Sequence, residues 1–297
     1  MIVLSFLVAG CKALAEENLP NPGTLPDSTF YFLKSWNKSI QTLNTIGLIN
    51  IQFAVRAGEV YVLEANPRAS RTIPYLSKAT GIPLAKIATK IILGHSLKDF
   101  NLPPPSLPYF AVKSVIFPFI KLPNIDFILS PEMKSTGEAM GRAPDFSLAY
   151  FKALQAVGLP NASNIFISLR DKDKPELDKI SRELKELCQV HGVKLFATAG
   201  TARYLGELGL QPSLVRKLSE EGMDAVSLLK NKNINLVINT FTGKREQKDS
   251  FEIRRAAIDS NVYCVTTIEA CSALIKALVM YYKNGVQVYS LDELNSR

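Results

Sequence analysis

Apolar positions follow different patterns on either side of a proline-rich break. Between residues 40 and 94, apolar strands alternate with a helical stretch over residues 83–93. Residues 47–55 (GLINIQFAV) and 59–68 (EVYVLEANPR) read as two strands joined by a tight turn at Ala57 and Gly58. Residues 101–108 (NLPPPSLP) continue neither a helix nor a central strand, because proline lacks an N–H and fixes φ. Pro118, Pro123 and Pro131 keep the next stretch irregular up to a helix predicted over residues 147–157. Gly158 to Asn161 (GLPN) marks the best domain boundary.

Beyond it, strand and helix alternate, which predicts a parallel sheet with crossover helices. The strand candidates are residues 165–169, 194–197, 236–238 and 263–266. Leu177, Ile180, Leu184 and Leu187 recur at helical spacing, with Pro175 placed to start that helix and Glu176 in its first turn.

The first pair of strands carries candidate chemistry, and register decides whether it forms a site. A two-residue loop pairs Gln52 with Leu63 and turns Glu64 to the other face. A three-residue loop, residues 57–59, sets Gln52 opposite Glu64. We expect the three-residue form. Glu64 and Asn66 then share a face with Gln52, and one carboxylate and two amide oxygens converge as hard ligands for Mg²⁺ held with nucleotide phosphates. Pro67 ends the strand, and Arg68 and Arg71 follow at a spacing that lets both guanidinium groups face an anion. Taken one at a time, each residue fits an ordinary hairpin with a solvated acid and surface arginines. The run EANPRASR over residues 64–71, with Gln52 twelve positions before Glu64, points instead to phosphoryl transfer.

A second candidate lies at residues 196–202 (FATAGTA), where a strand-to-helix turn with two hydroxyls exposes backbone N–H groups and a positive helix end to an anion. Lys174, Lys217, Asn239 and Thr240 sit at ends of predicted elements on the ligand side of the sheet.

Composition narrows the class. The 297 residues, 47% of them hydrophobic, suffice for one large or two ordinary domains. A net charge of +8 suits several anionic partners, but the Lys and Arg residues are scattered, which disfavours nucleic acid. Four irregularly spaced cysteines form no disulfide framework or zinc pattern, so a reducing cytoplasm is the expectation. Residues 1–15 (MIVLSFLVAGCKALA) end an apolar run in a lipoprotein-like box at Val8 to Cys11, yet no Lys or Arg precedes it as a secretory leader requires. A buried or truncated segment is expected there. No other run approaches a membrane span, and His95 and His191 have no catalytic partner at suitable spacing.

Residues 47–55, 64–71 and 77–86 (SKATGIPLAK) resemble the end of an ATP-grasp domain, specifically the second, carbamate-phosphorylating half of carbamoyl-phosphate synthase. Residues 131–141 (PEMKSTGEAMG) are similar to that family's stretch leading into its last domain. The C-terminal pattern resembles the family's methylglyoxal-synthase-like regulatory domain. The resemblance begins near Leu43, and residues 1–18 match nothing in it. It implies an α/β chain: a partial ATP-grasp (α+β) segment over residues 1–100, a connector and linking helix over 101–158, and a Rossmann-like parallel-sheet methylglyoxal-synthase-like domain over 159–297.

The same resemblance implies ATP and carbamate as ligands, with Gln52, Glu64 and Asn66 holding Mg²⁺ or Mn²⁺ and Arg68 and Arg71 holding phosphates or carbamate. It implies UMP or IMP as effector on Lys174, Thr198, Thr201, Lys217 and Asn239. The implied partners are the remaining large-subunit segments and a glutaminase small subunit, and the implied product serves pyrimidine and arginine synthesis. Phe241 replaces an effector-binding threonine, and Ser114 and Cys264 replace a glutamate and a tyrosine associated with ornithine, so ornithine activation is not expected. Ser272 stands where the true lyase carries an aspartate, which disfavours lyase chemistry. The family's nucleotide-binding lysines and arginines lie more than a hundred residues upstream of the hairpin, so no ATP turnover is expected from this chain alone. A stand-alone regulatory module and a non-functional remnant are the alternative readings.

Overall fold

The computed structural model describes residues 2–9, 45–56, 59–102, 109–118, 135–159, 162–216, 224–240, 244–290 and 293; for residues 2–9, 55–56, 59–60 and 244–248 it describes the backbone alone. The chain forms two compact units, Met1–Pro108 with Tyr289–Arg297, and Tyr109–Val288.

In the first unit, β1 (Ile2–Ala9), β2 (Leu48–Arg56) and β3 (Glu59–Asn66) form an antiparallel sheet in the order β1-β2-β3. The apolar run near the N-terminus is thus a strand, with its backbone paired along the whole of β2 from Ile2 opposite Val55 to Ala9 opposite Leu48. Alternation assigns the faces of β2: Ile49, Ile51 and Phe53 are buried, leaving Asn50 and Gln52 for the other side. Helices α1 (Thr72–Thr80) and α2 (Leu84–Ile92) follow, and Gly81, at φ 73°, ends α1 in the left-handed conformation that a residue with a Cβ adopts at a cost.

In the second unit, β4 (Phe110–Ile116) and β5 (Gly137–Ala143) form an antiparallel pair, and α3 (Phe146–Gln155) packs on β5. This corrects the expectation of irregular structure over that stretch. The motif GEAMG is a poor strand by propensity, and packing is what selects it: a Cβ on Gly141 would lie 1.9 Å from the Ala149 carbonyl oxygen and 2.4 Å from the Ala153 nitrogen. Asp145 caps α3 by accepting from the Leu148 N–H.

The remaining strands are β6 (Asn164–Ser168), β7 (Lys194–Thr198), β8 (Ser213–Val215), β9 (Leu236–Asn239) and β10 (Tyr263–Val265), all parallel in the order β10-β9-β6-β7-β8. The intervening helices are α4 (Ser181–Gln189), α5 (Ala199–Glu207), α6 (Ala225–Lys230), α7 (Lys244–Asp259) and α8 (Ile268–Asn284). They cover both faces of the sheet. Ile165, Ile167, Leu236 and Ile238 join a core with residues of α3, α4, α5 and α8, while the intervening Phe166 and Val237 join a second core with residues of α6 and α7. A sheet buried on both faces requires apolar side chains at consecutive positions, which is why these strands read as continuous apolar runs.

Two further expectations change. The predicted stripe Leu177, Ile180, Leu184 and Leu187 is fully buried, but Pro175 does not start an α-helix. Residues Asp171–Ile180 wind as 3-10 turns, and α4 begins only at Ser181. The three-residue edge strand β8 was too short to produce a pattern in the sequence.

Candidate functional site

The hairpin reaches the pairing expected of it by a different route. Arg56 pairs with Glu59, so only two residues connect β2 and β3, and the three-residue loop is a wrong expectation. A regular ladder from that turn would set Gln52 opposite Leu63. The register instead shifts between Gln52 and Phe53: Phe53 pairs with Val62, and Gln52 pairs with Glu64. Leu63 is therefore the extra residue of a β-bulge, which returns Glu64 to the face of Gln52. Its side chain is exposed.

Asn50 pairs with Asn66 on the same face, so four polar side chains are brought together: Asn50, Gln52, Glu64 and Asn66. Asn50 was missed in the sequence, although its spacing of two from Gln52 was the available signal. It is buried, and its Nδ2 donates to Ser70 Oγ at 3.2 Å and to Thr72 Oγ1 at 3.4 Å. Those bonds tie β2 to the segment that presents the arginines. Asn50 Oδ1 is buried and has no hydrogen-bond partner among the described residues, a state that costs about 1–3 kcal/mol unless a cation or donor is supplied. Glu64 and Arg68 are exposed, while Gln52, Asn66 and Arg71 are half-buried. Arg68 turns its Nη1 to the Ala69 carbonyl, and Arg71 stands at the N-cap of α1. One carboxylate among amide oxygens, with an unsatisfied amide oxygen beside them, fits a hard divalent cation such as Mg²⁺ or Mn²⁺. Among the described residues no cluster of three or more His, Cys, Asp or Glu occurs, so no alternative site of that type competes with it there.

The second candidate lies at the carboxyl ends of β6 to β9, where the strand order reverses beside β6. A cavity of about 330 Å³ opens there, lined by residues that include Ser168, Lys174, Thr198, Gly200, Thr201 and Thr240. Its hydroxyls are held in place. Thr201 Oγ1 accepts from the Leu169 N–H at 3.0 Å, Thr240 Oγ1 accepts from the Arg170 N–H at 3.1 Å, and Ser168 and Thr198 share a hydrogen bond of 3.1 Å. Thr198 precedes α5 without capping it, which leaves the first N–H groups of that helix without a side-chain partner from that residue. Lys174, Thr198 and Thr201 thus meet in one cavity. Asn239 does not line it: the residue is fully buried and its Oδ1 accepts from Arg254 Nη1 at 2.9 Å. Lys217 and Phe241 lie outside the described residues.

Ser114 and Cys264 come together in another cavity, of about 360 Å³, lined also by Phe117, Tyr150 and Thr266. Burial raises the Tyr150 phenol above its ordinary value. No helix among the described residues is long and apolar enough to cross a membrane.

Comparison with known proteins finds a family match on either side of the proline-rich break. Residues 20–100 match the family described as carbamoyl-phosphate synthase L chain, ATP binding domain, and residues 177–266 match the MGS-like domain. The first match begins upstream of Leu43, so the likeness extends further than the motifs indicated. The C-terminal section of the carbamoyl phosphate synthase large chain of Methanocaldococcus jannaschii is 44% identical over 93% of this chain and 46% of its own length. The corresponding section from Aquifex aeolicus is 43% identical over 85% of this chain and 51% of its own length. The large chain of Archaeoglobus fulgidus is 44% identical over 92% of this chain and 25% of its own length. The chain therefore spans between a quarter and about half of the length of these relatives. Its two domain matches, in one continuous alignment with such sections, show it to be a homologue of the C-terminal part of the carbamoyl phosphate synthase large chain.

Proposed function

We propose that this chain supplies the metal-and-phosphate corner of an ATP-grasp unit that phosphorylates carbamate to carbamoyl phosphate, together with a domain that senses a nucleotide phosphate. The bulge at Leu63 carries the reading, since it sets Gln52 opposite Glu64 where a regular ladder would turn Glu64 to the other face. Gln52, Glu64 and Asn66 would hold Mg²⁺ or Mn²⁺, which when bound neutralises phosphate charge. Arg68 and Arg71 bind phosphate or carbamate oxygens in pairs and fix their direction. In the second unit Lys174, Thr198 and Thr201, joined by Lys217, hold the phosphate and ribose of an effector such as UMP or IMP, while Asn239 stays behind the cavity, bonded to Arg254.

The remaining large-chain segments and a glutaminase small subunit are the proposed partners. Pyrimidine and arginine synthesis is the proposed destination of the product, and the cytoplasm the proposed compartment. A regulatory module acting alone is the second reading, favoured by the compactness of residues 109–288 around their own cores.

The test is to titrate Mn²⁺ with ATP present, followed by electron paramagnetic resonance, and to titrate UMP and IMP by calorimetry. Glu64→Gln is expected to weaken Mn²⁺ binding by about tenfold or more, comparable to losing a supporting ligand, and to leave nucleotide binding intact. Lys174→Met is expected to do the reverse. Mn²⁺ binding unchanged by Glu64→Gln overturns the catalytic reading, and UMP or IMP binding without Mn²⁺ and ATP binding selects the module.

A further inference from the structure

The Lys174 side chain is only 13% exposed, yet its ammonium is engaged within its own segment, donating to Asp171 Oδ1 at 2.5 Å. It also rests on the start of α5, because a Cβ at Gly200 would lie 2.9 Å from Lys174 Nζ. The neighbouring acid behaves differently. Asp173 is buried and pairs with Arg170 Nε, so it belongs to the framework. The Asp171 side chain is 96% exposed and can leave its partner without creating a buried charge.

We propose that Asp171 is an internal counter-anion, seated on Lys174 until the phosphate of a ligand displaces it, and that this competition sets the affinity of the cavity. The inference rests on reading the cavity as a phosphate site. Three observations combine. A lysine whose side chain is only 13% exposed needs an anionic partner for its ammonium. The partner present is the exposed carboxylate of a short i, i+3 pair. Gly200 leaves room for the ammonium against the helix end, where an incoming phosphate meets both Lys174 and the exposed N–H groups. The hydrogen bond from Lys174 holds the Asp171 carboxyl below its ordinary range, so the competitor stays charged throughout the neutral region.

Calorimetric titration of the full chain with UMP and with inorganic phosphate tests this. Asp171→Asn is expected to tighten both by about three- to fivefold, the range of an exposed ion pair, with thermal stability slightly lowered because Lys174 loses its anionic partner. Asp249→Asn removes a charge that also lines the cavity but does not touch Lys174, and is expected to have a smaller effect. Gly200→Ala crowds only the flexible end of Lys174, so the fold should tolerate it while phosphate binding weakens. Binding that Asp171→Asn leaves unchanged or weakens, or an equal gain from Asp249→Asn, overturns the inference and leaves the phosphate site standing. Absence of binding by the wild type and Asp171→Asn alike overturns the phosphate site and the inference with it.

Discussion

The hairpin corner and the parallel-sheet cavity are both built to meet phosphate, but they are built differently. The hairpin draws every candidate ligand from residues 50–71, and one bulge decides whether they converge. Its Glu64 and Arg68 are exposed, so the site is a chemical surface on a sheet whose opposite face does the packing. The cavity draws on the ends of four strands, and its hydroxyls are already bonded to the backbone that positions them. The first arrangement separates chemistry from stability, whereas the second joins them. A substitution of an exposed ligand in the hairpin should therefore change binding alone, and one at a buried, backbone-bonded hydroxyl of the cavity should change both.

The largest effect is expected from Gly141→Ala. The added methyl meets backbone atoms of α3 that no rotamer change can move, so strand and helix must separate. A loss of about 3 kcal/mol or more in the second unit follows, or about 6–12 °C in its thermal midpoint by the usual scaling for a domain of that size. Differential scanning calorimetry reads it. Phosphate binding should fall with it although Gly141 does not line the cavity, and an unchanged midpoint would sever the link between core and site.

How much of each region could be read from the sequence follows from the same difference. EANPRASR and its distance to Gln52 are local, so the donor set and the strand pair were legible even though the loop length was not. The bulge leaves no mark in composition, because Leu63 looks like any strand leucine until its partner is known. Asn50 was overlooked because its Oδ1 becomes unusual only once the residue is seen to be buried. The continuous apolar runs gave the central strands of the parallel sheet, since burial on both faces demands them. Gly137–Ala143 was hidden, because the contact with α3 selects glycine where propensity argues against a strand. The 3-10 turns over Asp171–Ile180 were hidden too, since a stripe repeating at three or four residues is common to both helix types. Asn239 was placed at the correct strand end, but its side chain points to Arg254.

A pair of substitutions sharpens the contrast at intermediate size. Thr201→Val keeps the shape of a side chain that is only 1% exposed and removes the acceptor of the Leu169 N–H. Leaving that buried donor unsatisfied costs about 1–3 kcal/mol, and the phosphate titration should weaken in parallel. Glu64→Gln, on an exposed carboxylate, should leave thermal stability within about 0.5 kcal/mol of wild type. Equal stability losses in the two variants, measured by urea unfolding, would erase the distinction between surface site and core-coupled site.

The smallest effect concerns pH and belongs to the second unit alone. Cys271, in α8, is fully buried, and burial pushes its thiol from the ordinary 9.0 up to about 12. Below pH 9 the thiol is neutral in both folded and unfolded chains, so it adds no pH dependence. As pH rises through 9 the unfolded chain loses the proton while the folded chain keeps it, and stability declines until the folded thiol itself titrates. At pH 10 the loss is about 1.4 kcal/mol, from one unit of difference between the two states. Lysines and tyrosines titrate in the same region, so the wild-type value must be set against Cys271→Ala, which retains those groups and removes the thiol. The alanine variant is expected to be less stable at pH 7 for lack of packing, and the gap between the two proteins should narrow by about 1.4 kcal/mol at pH 10. A gap that stays constant would mean that Cys271 reaches water as readily in the folded chain as in the unfolded one, and the core beneath the cavity would then be looser than the surface site it was contrasted with.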